Sequence, residues 1–212
     1  MRTYRIHLIR HGLTDANRYG IYCGSTDLPL NEEGIAGIKK LTAGCSYPYA
    51  EWVFSSPLAR AVETAKLIYP LSDITEVENL REMSFGEFEG KSMKELAGNP
   101  LFAGFISGDK ESLPAGAEAP DRFAARSAGA LISIVNLMMK SGVYSAAIVT
   151  HAGVIGSILS ALAYPRAMPY EWNPPPGSGY TAVADPTLFL REPVLEVVRT
   201  IPVYDANDDS DG

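Results

Sequence analysis

Two cysteines, Cys23 and Cys45, are all the chain contains, and neither belongs to a CxxC pair. A disulfide framework and a cysteine-based zinc or redox motif are thereby excluded. Histidine is scarce too, with three in 212 residues. No basic run occurs and the formal net charge is −7, so a nucleic-acid partner is not expected. Asp205, Asp208, Asp209 and Asp211 crowd into the final stretch DANDDSDG, and residues 205–212 read as an acidic flexible tail. The N-terminal MRTYRIHLIRHG lacks the unbroken apolar core of a signal peptide. A stretch free of charged side chains, Ser141 to Pro165, is long enough to span a bilayer. However, Ser145, Thr150, His151, Gly153, Gly156 and Ser157 are spread through it, and β-branched AIVT gives way to a helical pattern. It reads as a buried strand followed by a buried helix, in a soluble cytoplasmic protein with no membrane partner.

The remaining composition is ordinary for a globular domain, with 46% hydrophobic and 20% charged residues, and 212 residues can bury a sizeable core. Residues 1–204 are read as one domain. Tyr4–Arg10 (YRIHLIR) is rich in strand formers and stops at Gly12, which predicts the first strand. Residues 12–30 hold Gly12, Gly20, Gly24 and Pro29 with little periodicity, as a long working loop would. Asn31 caps a helix ending near Gly44, and Glu51–Ser55 is a second strand. Ser56-Pro57 then offers an N-cap and a first-turn proline for a helix to about Tyr69. Ile74–Glu78 is a third strand, and Ser92 to Glu95 matches a capping box. Residues 98–119, with Leu101, Phe102, Phe105 and Ile106, read as an insertion, followed by a long helix from Pro120 to Gly142. A strand over Tyr144–Thr150, a helix over Gly153–Ala163 and closing strands at Tyr180–Asp185 and Val194–Pro202 complete the pattern. Strands alternating with helices predict an α/β sandwich around a mostly parallel sheet.

Such sheets bind ligands beyond the carboxyl ends of their strands. Two of the histidines stand at those places, in Arg10-His11-Gly12 and in Thr150-His151-Ala152-Gly153. A helix starting after each would add N–H donors for an anion. On the tripeptide alone, a strand-end turn with solvated polar groups is the default. His7 lies four residues before His11 without an HExxH context, so a satisfied core or sheet-surface histidine is expected there. GEFEGKS (86–92) misses the P-loop pattern because Phe85 stands where glycine is needed.

Five segments occur in order: LIRHGLTDAN (8–17), GSTDLPLNEEG (24–34), SSPLARAVETA (55–65), LREMSFGEFEG (80–90) and VTHAGVI (149–155). Together they resemble the histidine phosphatase superfamily, the phosphoglycerate-mutase-like proteins, from about Arg5 to Ile158. The resemblance implies a three-layer α/β sandwich with a small helical lid insertion at about 92–119. It also implies phosphoryl transfer through a phosphohistidine, with His11 as nucleophile. Arg10, Arg60 and His151 would hold the phosphoryl oxygens, and Glu82 would be the general acid. Gly12, Thr14, Asn17, Cys23, Gly24 and Ala152 are expected around the substrate. Glu87 and Glu89 are alternative acids that look more like solvated loop charges. No metal and no cofactor are expected, because guanidinium and imidazole groups supply the neutralising charge.

Three activities remain open within that resemblance. A phosphatase acting on a small phosphorylated metabolite leads. A cofactor-dependent mutase typically carries Glu-Ser after RHG and His-Gly-Asn-Ser at the second histidine, where this chain has Leu13-Thr14 and His151-Ala152-Gly153-Val154. A non-catalytic phosphate-binding relative would have lost the nucleophile or an arginine, and this chain keeps both. A homodimer is an open assembly state.

Overall fold

A computed structural model describes residues 2–107 and 109–204, so the acidic tail read at 205–212 lies outside the described residues. The elements run β1 (Tyr4–Arg10), α1 (Asp15–Tyr19), α2 (Glu32–Gly44), β2 (Cys45–Ser46), β3 (Trp52–Ser55), α3 (Ala59–Ile68) and β4 (Ile74–Glu76). Then follow α4 (Met93–Leu96), α5 (Pro100–Ser107), α6 (Pro120–Ser141), β5 (Ser145–Thr150), α7 (Ala152–Leu162) and β6 (Ala163–Tyr164). β7 (Gly179–Ala184), α8 (Pro186–Phe189), β8 (Leu195–Ile201) and β9 (Val203–Tyr204) close the chain. The central sheet has seven strands in the order β4-β3-β5-β1-β7-β8-β6. β4 through β1 are mutually parallel, β7 runs against both β1 and β8, and β6 lies parallel to β8. The sheet is thus mostly parallel, as expected, with an antiparallel patch around β7.

Alternation along the strands builds the three layers. Ile6, Leu8, Ala146 and Ile148 face a core with α6 and α7, through Leu131, Ile134, Val135, Ile155 and Leu159. Ile9, Val53, Ala147 and Val149 face the other way, against Ile38 of α2 and Ala61, Ala65 and Ile68 of α3. The stretch free of charged side chains therefore divides into β5 and α7, both deeply buried. Among the described residues no helix is long and apolar enough to cross a membrane.

Two local expectations need correction. The long loop contains a helix, α1, whose capping box pairs Thr14 with Asn17 and which ends on Gly20 at φ 62°. Five residues are too few for hydrophobic periodicity to register. Ser56-Pro57 does not open α3 either. That helix starts at Ala59, whose N–H donates to Asp27 Oδ1 at 2.7 Å. Ser56 Oγ still accepts the Leu58 N–H at 3.4 Å, just before the helix.

His7 packs as expected, 1% exposed, with Nδ1 3.0 Å from Thr181 Oγ1. Burial first, then Arg199 and Arg5, lowers its pKa from 6.5 to about 4. Between those values the unfolded chain binds a proton that the folded chain refuses, so stability falls as pH falls. We expect His7→Gln to lessen the pH dependence of unfolding between about pH 4 and 6.5, leaving the share due to other buried histidines. The slope should drop by up to about 1.4 kcal/mol per pH unit, read from urea titrations at several pH values. An unchanged slope would place the acid sensitivity elsewhere.

Candidate active site

β1 and β5 are neighbours in register, Arg10 opposite Thr150, so the residues after them leave the sheet side by side. The His11 N–H donates to the Thr150 carbonyl at 2.9 Å. The imidazoles of His11 and His151 meet with centroids 5.0 Å apart and planes at 61°, 6% and 0% exposed. Two groups far apart in sequence thus share the carboxyl edge of the sheet.

His11 Nδ1 lies 2.6 Å from the Gly12 carbonyl. A carbonyl only accepts, so the ring proton sits on Nδ1 and the lone pair on Nε2. Burial, then Arg60, lowers the His11 pKa to about 3, with Arg10 adding to it and the Gly12 bond opposing. The ring stays neutral throughout the physiological range. His151 Nε2 lies 2.8 Å from Ser56 Oγ, and its Nδ1 is buried with no partner in the protein. Burial, then His11 and the surrounding arginines, lowers its pKa well below 6.5.

Arg60, on the first turn of α3, is 1% exposed. Its Nη1 donates to the Thr26 carbonyl at 2.8 Å and its Nη2 to the Gly24 carbonyl at 2.6 Å. Arg10 Nη1 donates to the Pro174 carbonyl at 2.8 Å and to Asn173 Oδ1 at 3.2 Å, and its Nε is buried without a partner. The proline-rich segment after Pro165 therefore anchors one guanidinium, and the 24–26 loop the other.

That loop is held by Glu89, which is not the solvated charge expected from sequence. Its carboxylate accepts the N–H groups of Gly24 (3.0 Å), Ser25 (2.9 Å), Thr26 (3.3 Å) and Phe85 (2.9 Å), and the Thr26 hydroxyl at 2.6 Å. Burial would raise the Glu89 carboxyl, but bonds from Thr26, Phe85, Ser25 and Gly24 hold it below its ordinary value. Gly24 permits the approach, since a Cβ there would collide with the Met83 carbonyl. Glu63 completes the tie by accepting the Leu30 N–H at 2.8 Å. Glu87 is exposed, as expected. Glu89→Gln should lower kcat/KM about 10²-fold through misplacement of Arg60. Steady-state kinetics alongside circular dichroism would check it, and wild-type kcat/KM would remove Glu89 from the arginine's support.

Glu82 sits opposite the α7 N-terminus. Its Oε2 accepts the Gly153 N–H at 3.0 Å and its Oε1 the Met83 N–H at 2.9 Å. A Cβ at Gly153 would strike Glu82 Oε1, so this glycine lets the carboxyl reach the helix end. Burial raises the Glu82 pKa, against the Met83 and Gly153 bonds and the charges of Arg60 and Arg126.

The remaining candidates spread around this centre. Gly12 donates its N–H to Thr64 Oγ1 at 2.9 Å, and a Cβ there would press on Ile38 and Leu30 of the α2 side. Thr14 is buried and Asn17 exposed, each engaged with the other in the α1 cap. The Cys23 thiol is half-buried, points at the Thr26 carbonyl, and is raised in pKa by burial despite Arg60. Ala152 opens α7 directly after His151. The insertion folds as α5 on its own cluster of Phe88, Leu96 and Phe102, flanked by Tyr22, Phe85, Leu101 and Phe105, while Ile106 is exposed. Among the described residues no group of three or more His, Cys, Asp or Glu is placed to hold a metal ion.

Comparisons with known proteins return phosphatases and phosphoglycerate mutases. Residues 6–185 match the family described as the histidine phosphatase superfamily (branch 1). The adenosylcobalamin/alpha-ribazole phosphatase of Salmonella typhimurium is 30% identical over 162 residues, 74% of this chain and 79% of that protein. Among solved structures, the alpha-ribazole phosphatase from Shigella flexneri superposes with a TM-score of 0.76 at 22% identity, covering 95% of this chain and 96% of that one. A phosphoglycerate mutase from Bacillus anthracis str. Sterne gives 0.73 at 22% identity, covering 93% and 92%. These structural likenesses show the fold.

Proposed function

Since the chain belongs to the histidine phosphatase superfamily, we propose that it hydrolyses a small phosphorylated metabolite through a phosphohistidine on His11. The observation that carries this is the paired imidazoles 5.0 Å apart, together with two buried nitrogens at the same sheet edge, His151 Nδ1 and Arg10 Nε, that have no partner in the protein. Buried polar atoms of that kind ask for a ligand, and guanidinium and imidazole groups gathered at one sheet edge suit an oxyanion. The Nε2 lone pair of His11 attacks phosphorus, and the ester P–O bond breaks. Glu82 delivers a proton to the departing oxygen. Water then gives a proton back to Glu82 and attacks phosphorus, the P–N bond breaks, and inorganic phosphate leaves. Arg10, Arg60 and His151 hold the equatorial oxygens throughout. Gly12, Thr14, Asn17, Cys23, Gly24 and Ala152 shape the surrounding pocket.

Residues 1–204 act as one catalytic domain in this scheme, with the 92–119 insertion as its lid and a cytoplasmic place of work. Neither metal nor cofactor takes part, and neither nucleic acid nor membrane is a partner. The decisive assay is phosphate release from a panel of phosphomonoesters with and without EDTA. Release that survives EDTA supports the proposal, and a requirement for a divalent ion would refute it. Supplying 3-phosphoglycerate with catalytic 2,3-bisphosphoglycerate tests the mutase alternative. Isomerisation without phosphate release would reverse the assignment.

A further inference from the structure

Arg126 lies on α6, outside the five motifs, and spends all five of its N–H groups. Nε and Nη2 form a two-point bridge to the Glu118 carboxylate, each at 2.7 Å. Nη1 donates to the carbonyls of Asn79 at 2.9 Å and Arg81 at 2.7 Å, and Nη2 to that of Glu82 at 3.2 Å. The guanidinium also rests 4.8 Å over the Phe123 ring. Side-chain exposures of 20% for Arg126 and 15% for Glu118 shield the pair from competing water. Glu118 is itself fixed, its N–H donating to the Ser84 carbonyl at 2.9 Å. The segment that ends the insertion is laced to the residues after Glu82 in the same way, Glu87 N–H to the Ala115 carbonyl at 2.9 Å.

We infer that the Glu118–Arg126 pair is a positioning device that sets Glu82 against the reacting oxygen and ties its location to the insertion. Three carbonyls on one backbone arc define where the Glu82 Cα sits, and only a planar five-donor group can hold all three while bridging a carboxylate. A lysine cannot, because its ammonium offers three donors from one point. The inference rests on Glu82 acting as the proton donor, as proposed above.

Leaving-group dependence tests it, because an alkyl phosphate needs the proton donor far more than an aryl phosphate such as p-nitrophenyl phosphate. Arg126→Gln should cut kcat on an alkyl monoester about 10²-fold and on the aryl ester less than about tenfold. Arg126→Lys should fall between Arg126→Gln and wild type. In a Glu82→Gln background the same Arg126→Gln change should cost less than about twofold, since it acts through a side chain already removed. Equal losses on both esters, or an undiminished loss in the Glu82→Gln background, would overturn the inference and leave Arg126 a structural residue. Should Arg126→Gln fail to fold, Glu118→Gln is read instead, with about a tenfold alkyl-selective loss expected and an unchanged alkyl-to-aryl ratio overturning the inference. If Glu82→Gln alone shows no alkyl-selective loss, the assignment of the proton donor fails, a result distinct from failure of the clamp.

Discussion

Replacing His11 with alanine should lower kcat for phosphate release by about 10⁴-fold or more, the scale on which removing a covalent nucleophile acts. The geometry makes the loss specific. The Gly12 carbonyl fixes the ring proton on Nδ1, so one nitrogen lone pair is available, and the depressed pKa of about 3 keeps it available. The Cys23 thiol is raised in pKa by burial, which leaves it a poor competitor for the attack. His11→Asn keeps an amide that can donate to the Gly12 carbonyl while removing the nucleophilic nitrogen, so it separates chemistry from folding. Both variants should keep their secondary structure by circular dichroism. Wild-type protein mixed with ³²P-labelled substrate and quenched should carry an acid-labile label that neither variant carries. Retention of more than about 1% of wild-type kcat in both variants would exclude His11 as the essential nucleophile.

The two histidines were legible because strand ends are. YRIHLIR and SAAIVT each bury a run of apolar side chains and stop where polar residues begin, and neighbouring parallel strands must finish at one edge. Helix boundaries with local chemistry were equally open to reading. Asn31 caps α2, Ser92 and Glu95 box α4, and Gly142 ends α6 in the left-handed region at φ 68°. The supports of the site were not legible. Glu89 and Arg126 are loop-side and helix-side charges most of whose partners lie far off in sequence, and local pattern treats such residues as solvated. Only the closed chain brings Glu89 to four backbone N–H groups and Arg126 to three carbonyls. The Ser56-Pro57 start misled because a good local cap lost to a distant one, Asp27. The serine hydroxyl also meets His151.

Glu82→Gln should remove most of the turnover of alkyl phosphates, about 10²- to 10⁴-fold in kcat, the usual worth of a positioned general acid. An alkoxide is a poor leaving group, whereas p-nitrophenolate departs without help, so the aryl ester should lose far less. The pH dependence follows from the same group. A general acid works only while protonated, and burial raises the Glu82 pKa, which extends the protonated form toward neutral pH. For the alkyl ester, kcat should therefore fall as pH rises through the pKa of Glu82. Glutamine cannot titrate, so that alkaline decline should vanish in the variant while the residual rate stays flat. The N–H groups of Met83 and Gly153 that now donate to the carboxylate can still meet the amide oxygen, so the loop should hold its place and circular dichroism should not change. A variant that retains the alkaline decline, or that slows both esters alike, would show that another group supplies the proton. Glu87, exposed in the loop that follows Glu82, would then be the residue to replace.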